Sequence, residues 1–217
     1  DELALILPQY KKISEKFDVS IADIIVLAGN TAIEEAIEVT GHKVNVPFKA
    51  GRGDASSEMT DENSFASLEP IADGFRNWVK DEAKENCEEY LLDKAHLLGL
   101  TAPEMTVLIG GMRVLGANHG NSGVGVLTKS PGKLSNDFFV NILSMDYKWE
   151  KAETNKFYLI SRTDNQIKWT ASRFDLIFGS NSILRSYAEH YAQDDNNEKF
   201  ICDFICAWNK VMNADIF

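Results

Sequence analysis

Apolar positions recur every three to four residues over most of this chain, the spacing that gathers side chains on one face of an α-helix. Glu2 to Phe17 predicts a first helix, with Pro8 in its early turns. Ser20 predicts the N-cap of a second helix over Ile21 to Ile37. Ile21, Ile24, Ile25, Ala28, Ala32 and Ile33 form its apolar face. From Thr40 to Asn63 the periodicity stops, and Gly41, Pro47, Gly51 and Gly53 predict a long ordered loop. Periodicity resumes in a helix from Glu82 to Leu98, closed by Gly99. Thr101-Ala-Pro-Glu104 then reads as a capping box with Pro103 in the first turn. The helix it opens runs through Met105 to Ile109, meets Gly110-Gly111 and leads into a Gly-rich turn by Gly120.

A glycine-rich stretch follows to Gly132, with a short strand expected at Val124 to Leu127. Ser135 is the expected cap of a short, very apolar helix from Asp137 to Leu143. The pattern then changes to strand-favouring residues at Tyr147 to Trp149, Phe157 to Ser161 and Ile167 to Thr170. Thr163 to Gln166 supplies a hairpin turn between the last two. Two helices close the chain, Ser182 to Gln193 and Glu198 to Met212. The fold class expected is mainly α with a small antiparallel β insertion. No repeat, low-complexity tract or interdomain linker interrupts it.

Charge and composition narrow the function. The 217 residues carry 22 basic and 33 acidic side chains, a net charge of −11. A basic face for nucleic acid is absent, as are the Lys/Arg clusters that favour anionic membranes. No apolar run reaches the roughly 18 residues that span a bilayer, so neither nucleic acid nor membrane is an expected partner. Cys87, Cys202 and Cys206 do not form a disulfide framework. Cys202 and Cys206 share a helical face and are expected to be buried. The first residues hold no signal-peptide pattern, and the chain begins with Asp rather than Met. It is therefore expected to be a piece of a longer polypeptide or a processed product; the cytoplasm is the expected compartment, with the periplasm left open.

Candidate chemistry is sparse. His42, His96 and His190 have no second histidine at helical spacing and no His-Glu-x-x-His context. His119 stands out because it precedes Gly120 in the glycine-rich turn. No nucleophile elbow, phosphate-binding loop or dinucleotide fingerprint occurs. Arg52-Gly53-Asp54 is an adhesion tripeptide in some secreted proteins, but Gly and Asp in a loop favour a plain turn.

Five segments carry a family resemblance: Ser20 to Asn30, Pro103 to Gly120, Leu134 to Leu143, Lys168 to Asn181 and Ala207 to Asn213. Asp73-Gly-Phe-Arg-Asn-Trp78 and Leu134-Ser-Asn-Asp-Phe-Phe-Val-Asn141 are the most specific. In order and spacing they resemble the C-terminal, haem-free domain of bifunctional catalase-peroxidases, from about Leu5 to Phe217. The resemblance implies a haem-peroxidase-like helical fold over 1–217 as a single domain. It implies that an N-terminal copy binds haem b and performs the peroxide chemistry. This copy would support that haem domain, its partner in the same polypeptide, and the homodimer of the parent protein.

Residue by residue, the resemblance implies lost catalysis. In the active copy a helix ends in Gly-Gly-His, then Gly, then His-Gly. Here Arg113 holds the proximal-ligand position, Gly116 is kept, and His119-Gly120 matches the outer pair. Arginine offers iron no lone pair. The active copy's carboxylate that orients the ligand histidine aligns with Arg173, with Asp175 two residues on. An Arg113–Asp175 ion pair filling the old space is conceivable. The family's distal helix would precede Asp1. No catalytic, cofactor-binding or metal residue is therefore expected, and haem belongs to the other copy. The alternatives are an autonomous haem-binding peroxidase using His119 or Met112 as ligand, and an independent protein-binding module.

Overall fold

A computed structural model describes residues 2–216; Asp1 and Phe217, the two ends of the expected 1–217 domain, lie outside them. Among the described residues the fold has nine α-helices and two small antiparallel sheets. The expected mainly helical fold with a β insertion is what the chain forms.

Helix α1 spans Glu2–Phe17 and α2 spans Ile21–Glu38. Ser20 caps α2 as expected, its Oγ accepting from the Asp23 amide at 3.1 Å. The buried stripe of α2 is turned from the expected one: Ile24, Asn30, Ile33, Ala36 and Ile37 are buried, whereas Ile25 and Ala32 are exposed. The cause lies in the last helix, α9 (Asn197–Met212). Trp208 of α9 lies against Gly29, and its indole Nε1 donates to Asn30 Oδ1 at 2.8 Å.

The long loop is pinned by side chains. Arg52 is the centre of this: it donates to Asp23 Oδ1 (3.0 Å), Asp215 Oδ2 (3.1 Å), Asn213 Oδ1 (3.2 Å) and the carbonyls of Lys49 (2.7 Å) and Met212. Asp54 accepts from the amides of Ile21 (2.8 Å) and Ala22 (2.9 Å), two free donors at the start of α2. Arg52-Gly53-Asp54 is thus a clamp between α2 and the end of α9 rather than a plain turn. Helix α3 (Glu62–Leu68) follows, where no helix was expected.

A two-stranded hairpin, β1 (Ala72–Asp73) and β2 (Trp78–Val79), also escapes the periodicity. Two-residue strands are too short to show an alternation. Helix α4 spans Cys87–Leu97 and starts later than expected, because Asn86 leaves helical geometry at φ −128°, ψ 39°. Helix α5 (Ala102–Leu115) opens on the expected capping box. It does not stop at Gly110-Gly111: it runs on to Gly116, whose φ of 70° ends it. The paired glycines serve packing instead. A Cβ on Gly110 would lie 2.3 Å from the Phe139 ring, and one on Gly111 would lie 2.2 Å from the Phe204 ring.

The expected strand at Val124 to Leu127 does not form. Gly125 turns the chain at φ 81°, and its amide donates to the Thr170 carbonyl at 2.7 Å. Helix α6 (Asp137–Leu143) is capped at Asn136, not Ser135. Strands β3 (Tyr147–Glu153), β4 (Lys156–Ser161) and β5 (Ile167–Ala171) form the expected antiparallel insertion in the order β3-β4-β5. The turn at 163–166 joins the last two, with Asn165 at φ 55°. Helices α7 (Arg173–Ser180) and α8 (Ser182–Tyr191) then lead into α9.

Six phenylalanines, at 138, 139, 174, 178, 200 and 204, fill the core between α5, α6, α7 and α9. Edge-to-face contacts join Phe138 to Phe139 and Phe178, and Phe139 to Phe200. Each buried aromatic of this size is worth several kilocalories, roughly 3–5 kcal/mol when truncated to Ala. This core fixes the C-terminal turn of α5, where the candidate site lies.

Candidate functional site

Arg113 sits in the last turn of α5, and its side chain is fully buried. Such burial of a permanent charge demands partners on every side. The guanidinium has them. Nε donates to Asp175 Oδ1 at 2.7 Å, Nη1 to the Phe75 carbonyl at 2.8 Å, and Nη2 to the Gly74 carbonyl at 2.7 Å. Asn118 Oδ1 lies a further 3.4 Å from Nη1.

Each partner is itself held. Asp175, also fully buried, lies in the first turn of α7. Its Oδ2 accepts from the Ser172 amide (2.8 Å) and hydroxyl (3.0 Å). The β1–β2 hairpin presents the Gly74 and Phe75 carbonyls. Its turn is shaped by Asp73 Oδ1, which accepts from the amides of Phe75 (3.0 Å) and Arg76 (3.2 Å). Asn118 donates to the carbonyls of Ser122 (2.6 Å) and Val124 (2.9 Å). One guanidinium therefore ties together α5, α7, the hairpin and the loop after α5.

The ion pair that was only conceivable from the sequence is present. Arg173 takes no part in it. It points the other way, from α7 to α4, where Nε donates to Glu88 Oε2 at 2.7 Å and Nη2 reaches Glu88 Oε1. The Arg173 guanidinium holds the Glu88 carboxyl below its ordinary value, against the opposing effect of partial burial. The carboxylate facing position 113 is Asp175.

The arrangement does not fit a haem. Position 113 has no lone pair to give a metal. The Gly74 and Phe75 carbonyls are packed directly against its guanidinium. Gly125 closes the other side so tightly that a Cβ there would meet Asp175 Oδ2 at 2.5 Å and Arg113 Cδ at 2.9 Å. Among the described residues no cluster of three or more His, Cys, Asp or Glu side chains is placed to hold a metal ion.

The remaining candidates lie apart. Met112, next to Arg113, faces away from it. It lines an apolar cavity of about 210 Å³ with Phe75, Leu98, Leu108, Trp208 and Val211. His119 is exposed, its ring 5.8 Å from that of Trp78. His42 is hydrogen-bonded to Thr40 Oγ1 at 3.0 Å, while His96 and His190 are exposed. Burial pushes the Cys87 thiol up to about 12, with the Glu88 charge adding to the effect, so it is not a nucleophile near neutral pH. Cys202 and Cys206 are exposed rather than buried. On α9 the core side is taken by Phe200, Ile201, Phe204 and Ala207, which turns both cysteines outward.

The protein-family model described as Peroxidase matches residues 3–194. The chain belongs to the peroxidase family. It is 58% identical over its whole length to a catalase-peroxidase of Vibrio vulnificus, covering 30% of that protein. It is 59% identical, again over its whole length, to one of Chromohalobacter salexigens, 30% of which is covered. With the Edwardsiella tarda catalase-peroxidase it shares 60% identity over 98% of this chain and 29% of that protein. The chain thus spans about 30% of the length of these curated relatives. The resemblance to catalase-peroxidases first drawn from short motifs extends over the whole chain. Among the described residues no helix is long and apolar enough to cross a membrane.

Proposed function

We propose that this chain is the C-terminal, haem-free domain of a catalase-peroxidase. It supports the architecture of the haem domain in the same polypeptide and the homodimer of the parent, which removes hydrogen peroxide. The observation that carries this is the buried Arg113–Asp175 pair at the place of the resemblance's proximal ligand. A peroxidase site needs an open coordination position above that ligand. Here each guanidinium nitrogen donates to an oxygen of the protein itself, the Asp175 carboxylate or the Phe75 and Gly74 carbonyls.

Asp175, rather than Arg173, takes the place of the family's ligand-orienting carboxylate. In an active site such a group raises the basicity of the ligand it bonds. Beside Arg113 the same carboxylate neutralises a structural cation. The site has kept its hydrogen-bond logic and exchanged its chemistry for cross-linking.

Haem titration tests the proposal. Added to the folded chain at one equivalent, haem is expected to give the spectrum of free haem, with no new absorption band from axial ligation. A saturable band at one haem per chain would refute the domain's haem-free character. In the same preparation, peroxide turnover should be at the level of free haem.

A further inference from the structure

The cavity of about 210 Å³ that Met112 lines plays no part in the haem-free reading. Its wall is almost wholly carbon: Phe75, Leu98, Leu108, Met112, Trp208 and Val211. Two of these are aromatic and held in place. Phe75 is buried, and its amide donates to Asp73 Oδ1 at 3.0 Å. The Trp208 indole donates to Asn30 and is stacked on Phe204, with 6.3 Å between ring centroids and 17° between planes. An apolar cavity of about 150 Å³ takes up benzene, so this one holds a single ring with a carbon or two to spare.

The rim is charged, with Asp73, Arg76 and Lys94 on it. Lys94 donates to Asp73 Oδ2 at 2.6 Å, and Asp73 Oδ1 is taken by two backbone amides. Arg76 is exposed, and among the described residues its guanidinium has neither a hydrogen bond nor an ion pair. Glu69, in the neighbouring depression, is bonded to Lys80 at 2.8 Å instead. The backbone of Arg76 is fixed all the same, its carbonyl accepting from the His119 amide at 2.8 Å. The rim therefore keeps one uncompensated positive charge, on a chain whose net charge is −11.

We propose that this cavity binds a small aromatic carboxylate, its ring against Phe75 and Trp208 and its carboxylate on Arg76. Apolar walls with a few placed polar groups are the usual form of a small-ligand site. Aromatic walls favour a ring through edge and stacked contacts. A guanidinium matches a carboxylate with two parallel donors. A neutral or cationic aromatic would leave Arg76 unpaired. The proposal does not rest on the haem-free reading, and the haem titration is independent of it.

Phenylacetate is the probe, with calorimetry for affinity and methionine-methyl NMR for location. It is expected to bind one per chain with a dissociation constant on the order of 0.1–1 mM, ordinary for so few non-hydrogen atoms. The methyl signals of Met112 and Met212, which line the cavity, should shift, and those of the exposed Met59 and Met145 should not. Phenylacetamide, which keeps the ring without the charge, should bind roughly three- to tenfold more weakly. Arg76→Ala should bring phenylacetate down to the level of the amide and leave the amide unchanged. Leu108→Phe fills the space from α5 and Val211→Phe from α9, so one serves if the other fails to fold; either should abolish binding of both compounds. Equal affinity for phenylacetate and its amide would overturn the proposal by removing the carboxylate from it, and equal affinity for hexanoate by removing the ring. So would shifts confined to methyls outside the cavity. Loss of binding when the chain is part of a polypeptide of the relatives' length would also overturn it, because another segment would then fill the space.

Discussion

Arg113 has four oxygen partners and is fully buried, and this makes its loss more informative than that of an ordinary surface arginine. Arg113→Ala strands the Asp175 carboxylate in the interior and takes from the Phe75 carbonyl its side-chain donor, while the Gly74 carbonyl keeps the Asn77 amide. Removing one member of a buried pair costs about 3–5 kcal/mol, most of it for the uncompensated charge left behind. Arg113→Ala is therefore expected to lower the urea midpoint by an amount equivalent to that loss, with the slope of the transition unchanged. Guanidinium ion, added at concentrations well below denaturing ones, should recover part of the midpoint, since the cage it enters is shaped for a planar fork of donors. A midpoint that moves by less than 1 kcal/mol equivalent would mean that the pair is not the cross-link described here. The cation at position 113 was plain in the sequence, because arginine keeps its charge in proteins and offers a metal no lone pair. Its partner, Asp175, was only a conceivable one. A carboxylate two positions from another candidate, at 175 rather than 173, is decided by which way α7 faces, and that depends on the Ser172 cap.

Among elements, α7 is the hub. One end of its first turn reaches Arg113 through Asp175, and the other reaches α4 through Arg173 and Glu88. The second contact gives a pH signature. Glu88 is held below its ordinary value of 4.5 by the Arg173 hydrogen bond, so between the two values the unfolded chain binds more protons than the folded one. The stabilisation is complete above about pH 4.5 and is lost as pH falls through the folded-state value. Glu88→Gln should therefore cost about 1 kcal/mol or less at pH 7, the pair being partly exposed. It should also flatten the fall in stability below pH 4.5. An acid-limb slope identical to the parent's would remove Glu88 from the account. Helices with unbroken three-to-four spacing were legible in the sequence, as was the β3–β4–β5 insertion. The β1–β2 hairpin and α3 were not, because two-residue strands have too few positions to display a period and α3 has no buried face. Gly110-Gly111 are poor helix formers by themselves. What keeps them helical is the close approach of Phe139 and Phe204, a tertiary contact that local pattern does not contain.

Across the whole molecule, stability is unevenly spread, and limited proteolysis can show it. The phenylalanine core draws on α5 to α9, while residues 47–70 contribute no residue to it. Within that stretch the two ends differ. Arg52, 5% exposed, is bonded to α2 and to the C-terminal turn of α9. Met59, Phe65 and Leu68 are exposed in α3 and the short 3-10 turn before it. Segments with few buried contacts open locally without global unfolding and are cut first. Brief chymotrypsin treatment is accordingly expected to cleave near Phe65 and Leu68, while trypsin spares the bond after Arg52 under the same conditions. The two pieces should remain associated after the cut. Ile33 and Ile37 of α2 are in the core, Trp208 bonds Asn30, and Arg52 bonds Asp215 across the break. An early tryptic nick at Arg52, or separation of the pieces on a sizing column, would show that the clamp does not hold the first third of the chain to the rest. If the clamp holds, α2 stays seated on α9 even when the loop is open.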